Sequence, residues 1–128
     1  MVGLPEMSFK EVVLPASRIQ VVEYREGGDV SATRKLPGAG STGNLVLRRG
    51  IDQNLSLWNW FAEVRDGDLR RRDVVILLRD AQGLDVRRWQ IFNAWPAAYD
   101  FSPLDGQGNE VMIETVELAC ERVDVEEP

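Results

Sequence analysis

Arg18-Ile19-Gln20-Val21-Val22-Glu23-Tyr24-Arg25 is a β-branched, partly alternating run, and Glu26-Gly27-Gly28-Asp29 stops it at once. A second, shorter run, Ala32-Thr33-Arg34-Lys35-Leu36, ends at Pro37-Gly38. Two strands parted by a glycine pair are therefore expected near the start of the chain. Downstream, the loose loop Ala39-Gly40-Ser41-Thr42-Gly43 leads into a third strand, Asn44-Leu45-Val46-Leu47-Arg48-Arg49, closed by Gly50.

The period then changes. Between Asp52 and Arg65 the apolar residues Leu57, Trp58, Phe61, Ala62 and Val64 recur at helical spacing. Asp52 suits the N-cap, and Asp66-Gly67 suits the far end, where glycine is favoured. The aromatic face of Trp58 and Phe61 is assigned to the core. Asp73-Val74-Val75-Ile76-Leu77-Leu78-Arg79 is a continuous apolar run, which implies burial on both faces or an interface on one. Asp80-Ala81-Gln82-Gly83 predicts a turn, and Val86-Arg87-Arg88-Trp89-Gln90-Ile91-Phe92 the returning arm of a hairpin. Asn93-Ala94-Trp95-Pro96 is expected to end that arm, because Pro96 removes a ladder donor. After the turn Asp105-Gly106-Gln107-Gly108-Asn109, one long strand is expected over 110–123. The sum is a mainly β domain, barrel or sandwich, with one flanking helix.

Composition narrows the function. The 128 residues suit one domain, and no window approaches the roughly 18 apolar residues of a membrane helix. Met1-Val2-Gly3-Leu4-Pro5-Glu6 shows no signal peptide. There is no histidine and one cysteine, Cys120, so a zinc site or a catalytic triad is close to excluded. The net charge of −6 argues against a dedicated nucleic-acid binder. Residues 1–108 balance 14 acids against 14 bases, whereas 109–128 hold seven acids (Glu110, Glu114, Glu117, Glu121, Asp124, Glu126, Glu127) against Arg122. That excess reads as a solvated strand and tail, or as a surface that repels a passing polyanion. Gly38-Ala39-Gly40-Ser41 lacks the Lys-Ser/Thr of a phosphate cradle, Cys120 reads as an inert thiol, and the glutamate pairs read as solvated. No enzyme, cofactor or metal is expected.

Several segments in order resemble the inner tail-tube protein family of contractile-tailed phages and contractile injection systems. Val22-Glu23-Tyr24-Arg25-Glu26-Gly27-Gly28 matches that family's signature, followed by Arg34-Lys35-Leu36-Pro37-Gly38 and Leu45-Val46-Leu47-Arg48-Arg49-Gly50. Leu57-Trp58-Asn59-Trp60, Trp89-Gln90-Ile91-Phe92-Asn93-Ala94-Trp95-Pro96 and Asn109-Glu110-Val111-Met112-Ile113-Glu114-Thr115-Val116-Glu117-Leu118 complete it, over about 9–123. The family usually begins with another strand upstream of Phe9-Lys10-Glu11-Val12. Here that strand is absent, or 2–13 take its place.

The resemblance implies a non-enzymatic subunit that forms six-membered rings, stacked head to tail into a tube inside a sheath. It implies sheath and baseplate partners, DNA or protein cargo that passes without specific binding, assembly in the cytoplasm and a final place in the particle. It also implies that 24–36 form a long hairpin or loop reaching the adjacent ring. Tyr24, Arg25, Glu26, Gly27, Gly28, Arg34, Lys35 and Leu36 are then contact residues, and Glu114, Glu117 and Glu121 are candidate lumen acids. Two alternatives stay open. One is a baseplate or tube-end homologue that forms a single ring. The other is a monomeric ligand-binding β-barrel, with Trp58, Trp60, Trp89 and Trp95 lining an apolar pocket.

Overall fold

The computed structural model describes residues 6–25, 33–103 and 112–127. Eight strands and one helix follow in the order β1 (Glu11–Val13), β2 (Ser17–Arg25), β3 (Thr33–Thr42), β4 (Leu45–Gly50), α1 (Ser56–Arg65), β5 (Arg72–Arg79), β6 (Asp85–Phe101), β7 (Ile113–Ala119) and β8 (Arg122–Glu126). The fold is mainly β with one helix, as the sequence implies. The body is one curled sheet in the order β1-β4-β7-β6-β5, with β8 also paired to β6. β2 and β3 form a separate two-stranded ribbon.

The core follows from strand alternation. Leu45 faces Leu118 and Leu47 faces Val116 across the β4–β7 ladder, all four buried. Leu57 and Trp60 of α1 close over them with Ile91 and Ala94 of β6. Trp60 is 1% exposed, and its indole N–H donates to the Arg70 carbonyl at 2.8 Å, so its one polar atom is satisfied. Trp58 and Phe61 are instead half-buried at the core's rim, against Tyr99. The buried helix face is therefore turned toward Leu57 and Trp60, relative to the Trp58–Phe61 face expected from the sequence.

Four other expectations are corrected. The helix starts at Ser56, not after Asp52, and no side chain caps it. Asp52 accepts from the Asn54 N–H at 2.8 Å and lies beside Arg49, so a tertiary contact occupies it. β3 continues through Pro37-Gly38 to Thr42, because the ladder slips between Val21 and Ile19 and the ribbon's outer edge has no described partner. β6 continues through Pro96 for a similar reason. Beyond Ala94 its described partner is β7 alone, and a bulge falls between Pro96 and Ala98. The expected single last strand is two, β7 and β8, interrupted at Cys120 and Glu121. They nevertheless hold one register along β6, from Glu126 opposite Arg88 to Leu118 opposite Pro96. The interruption lies beside Asn93, whose φ of 54 turns β6 from one part of the sheet into the other.

Two turns form as expected. Asp80 accepts from the N–H groups of Gln82 and Leu84, and Gly83 takes φ 83. Gly67 ends the helix at φ 101.

A buried polar cluster crosses the apolar core. Arg49 of β4 lies opposite Glu114 of β7, and the two pair at 5% and 4% exposure. Tyr99 of β6 donates its hydroxyl to the other Glu114 oxygen. Arg49 also donates to the Asn54 carbonyl at 2.8 Å, which ties the entry loop of α1 to the sheet. Removing one member of such a pair leaves the other charge buried and unpartnered, at a cost of about 3–5 kcal/mol.

Trp60→Ala should destabilise the protein by about 3–5 kcal/mol in urea unfolding, from lost burial and a cavity. The pH dependence tests the cluster. Burial, then the bond to Glu114, holds the Tyr99 phenol well above its ordinary value of 10.0. In the unfolded chain that tyrosine ionises near its ordinary value while the folded one stays neutral, so stability should fall as pH rises above about 10. Tyr99→Phe should flatten this alkaline limb, read as the urea midpoint against pH.

Candidate assembly interface

The ribbon carries the residues that the family signature singles out. Tyr24 lies opposite Arg34, Glu23 opposite Lys35, Val22 opposite Leu36, and Arg25 opposite Thr33. Arg25 donates to the Thr33 hydroxyl at 3.2 Å. Glu26, Gly27 and Gly28 lie outside the described residues. Since directly opposed residues share a face, Val22, Tyr24 and Leu36 form one apolar group, and Ile19, Val21 and Pro37 another on the reverse side. Both groups are exposed, with Ile19 at 67% and Val21 at 61%. A two-stranded ribbon with apolar side chains on both faces has no core of its own. Its order is suited to contact on each side.

One glycine fixes how the ribbon bends. A Cβ on Gly38 would lie 2.8 Å from the Val22 methyl Cγ2 and 3.2 Å from the Gln20 carbonyl oxygen. Gly38 sits in the slip of the ladder opposite Gln20, where the two strands approach too closely for a side chain.

The base of the ribbon is fastened to the junction between β7 and β8. The Gly43 N–H donates to the Ala16 carbonyl at 2.8 Å, the Thr42 hydroxyl to the Glu121 carbonyl at 3.2 Å, and the Cys120 thiol to the Gly43 carbonyl at 3.4 Å. Burial raises the Cys120 pKa, which keeps the thiol protonated as that donor. The Glu121 carboxylate accepts from Arg71 at 3.1 Å and from Asn93 at 2.9 Å. The ribbon base, the β6 kink and the segment after α1 thus meet at one residue.

The three candidate lumen acids have three different fates. Glu114 is buried in the pair with Arg49, so it is no free acid on a channel wall. Glu121 holds the junction just described. Glu117 is half-buried, accepts from Asn44 at 2.8 Å, and lies on the sheet face opposite Val116 and Leu118. On that face one ladder row runs Glu11, Arg48, Thr115, Asp100, with Glu117 in the next. Glu11 and Arg48 pair at 2.7 Å. Arg48, Asp100 and Asn93 were not singled out from the sequence. The alternation of Thr115 and Glu117 against Val116 and Leu118 was the available signal for this polar face.

Among the described residues, the four tryptophans do not line a common pocket. Trp60 is buried, and Trp58, Trp89 and Trp95 are half-buried. Two grooves among the described residues lie elsewhere: one where residues 6–10 run past Arg49 and Asp52, the other where Arg18 and Ile19 pass Glu121 and Arg122. The apolar run in β5 is half-buried at Val74 and Ile76 and exposed at Val75 (42%), Leu77 (40%) and Leu78 (50%), so it is not buried on both faces within this chain. Among the described residues, no group of three His, Cys, Asp or Glu side chains gathers as a metal site, and no helix is long and apolar enough to cross a membrane.

Comparison with known proteins finds a family described as T4-like virus tail tube protein gp19, matching residues 2–124. No curated protein matches. A chain in the six-fold symmetrised baseplate of the anti-feeding prophage is similar at 26% identity and TM-score 0.82, over 97% of this chain and 86% of that one. A chain in the extended sheath-tube complex of the PVC extracellular contractile injection system is similar at 23% identity and TM-score 0.83, over 95% and 82%. Hcp1 from Flavobacterium johnsoniae shares the fold at 12% identity and TM-score 0.57, over 92% and 87%.

Gly38→Val should distort the ribbon and leave the body intact. Amide exchange is expected to accelerate at residues 20–24, while the buried amides of β4 and β7 keep their protection. Thr42→Val should loosen the ribbon base by removing the hydroxyl that donates to the Glu121 carbonyl, seen as faster exchange at Gly43, with a stability loss of about 1 kcal/mol.

Proposed function

The chain belongs to the T4-like virus tail tube protein family, and from that membership we propose that six copies close into a ring and that rings stack as the inner tube of a contractile particle. The observation that carries this reading is the sheet β1-β4-β7-β6, which is open at both sides. Among the described residues β1 has no second partner, and neither does β6 over residues 97–101. Each neighbouring pair in this sheet is antiparallel. Four strands is an even number, so β6 of one copy meets β1 of the next in antiparallel sense, and the alternation continues unbroken around a ring. Closure of this kind also removes the exposed edges that otherwise invite aggregation.

The core face of that sheet is covered by α1. The opposite face, with Glu11, Asp100 and Glu117 against Arg48, is the one left to line a channel. An acidic wall gives a nucleic acid no counterion-release affinity to slow it, and a protein cargo meets a polar surface. Contact with a sheath on the outside and a baseplate at one end follows from this reading, as does assembly from cytoplasmic subunits. The role is structural, with no catalytic step. The likeness to a chain in a baseplate assembly favours a second reading, a tube-end homologue that forms one ring without propagating.

Electron microscopy of the purified protein over a concentration series separates these readings. Hollow stacked tubes with six-fold rings are the expected result. Rings that never stack support the tube-end homologue, and a monomer at every concentration overturns both.

A further inference from the structure

The charge of the chain is segregated in space. The described strands of the ribbon carry Arg18, Arg25, Arg34 and Lys35 against Glu23. Of the described C-terminal acids, Glu114 is buried, Glu117 lies on the opposite face of the sheet and Glu121 holds the junction, which leaves three on and just after β8. There Asp124, Glu126 and Glu127 stand against Arg122. Asp124 pairs with Arg122 at 2.9 Å and Glu126 with Arg88 at 3.4 Å. All four side chains are more than a third exposed, so both pairs are weak and open to exchange for another partner.

Both segments are also unfilled as strands. β8 pairs with β6 on one side and, among the described residues, with nothing on the other. Among the described residues, β2 and β3 pair only with each other. Val125 of β8 is 60% exposed, and Leu36, Val22 and Tyr24 of the ribbon are also exposed. On β8, Asp124 and Glu126 share one face with Val123 and Val125 on the other, and on the ribbon Arg34 shares a face with Leu36 while Lys35 lies on the reverse side. Within its own chain the ribbon touches the β7–β8 junction at its base and does not lie along β8.

We propose that the basic ribbon of one copy adds edge-to-edge to the acidic strand β8 of another copy, extending the β5-β6-β8 part of that copy's sheet. Main-chain hydrogen bonds supply the attachment, and the opposed charges and the Val125 contact select the partner. The two surfaces differ, so the contact is heterologous; made between copies in successive rings, it propagates along the stack instead of closing. That is the geometry of stacking, and it names the receptor for the ribbon. The proposal rests on the tube reading.

A charge exchange tests it. Arg34→Glu with Lys35→Glu, or Asp124→Lys with Glu126→Lys, should each raise the concentration needed for stacking about ten-fold or more, a change of about 1.4 kcal/mol. All four substitutions in one chain should restore it, because every copy then carries the exchanged pair. A second measurement does not depend on charge. In a Cys120→Ser background, Leu36→Cys with Val125→Cys should join separate copies through a short bis-maleimide. Leu36→Cys with Val75→Cys, on the β5 strand across the sheet, should not. Tubes that stack equally well with either reversal, no recovery in the quadruple variant, or cross-linking indifferent to the site would each overturn the pairing and leave the tube reading standing. Failure of the unaltered chain to form any ring or tube would overturn both.

Discussion

The strand β6 constrains everything else. Its first half lies between β5 and β8, and its second half lies beside β7. The partner run from Glu126 back to Leu118 keeps one register along it, although β7 and β8 are separated by two residues. A continuous register through a bent strand leaves few ways to arrange the rest. Asn93 supplies the bend in the left-handed region, which asparagine tolerates better than most residues. Ile91 and Ala94 on either side of it are buried, so the bend is anchored by core packing rather than by a loop.

Around this strand the molecule divides its surfaces sharply. One side of the sheet is sealed by α1, with Trp60 as plug and the Arg49–Glu114–Tyr99 cluster joining β4, β7 and β6. Replacing a buried ion pair by apolar residues of equal volume is often neutral or stabilising, whereas losing one partner of this pair would strand a buried charge between β4 and β7. The other surfaces are left unfinished: two sheet margins, a ribbon with apolar side chains on both faces, and an exposed apolar stripe on β5. A monomer with so many open edges is poorly protected against association. On the ring reading proposed above, the same edges become the sites of controlled association.

Local features were legible in the sequence, and features that depend on distant partners were not. The turn at Asp80 and Gly83 forms from contacts within five residues, and Gly67 ends the helix for reasons internal to the helix. Asp52 looked like a cap because its use by Arg49 and Asn54 depends on where β4 ends. Pro37 and Pro96 looked like strand ends, yet each sits at a slip of the ladder on an open edge, and edges are defined by the neighbours a strand lacks. Glu114 looked like a channel acid because its partner Arg49 lies 65 residues away. Its parity with Val116 and Leu118 pointed inward all along. The signature around Tyr24 and Gly27 identified the family without revealing that the ribbon is fastened at Glu121, a residue the sequence offered for another role.

The ribbon's attachment has a mechanical consequence. It is two strands wide, about 30 Å long by strand geometry, and fixed to the body through a few hydrogen bonds at Thr42, Gly43 and Cys120. The sheet it springs from is several strands wide and braced by a helix. In a stack joined through such ribbons, the rings are the stiff parts and the joints between them the compliant ones. The tube then resists crushing far better than it resists bending, and its flexural rigidity is set by the small contact at the foot of each ribbon.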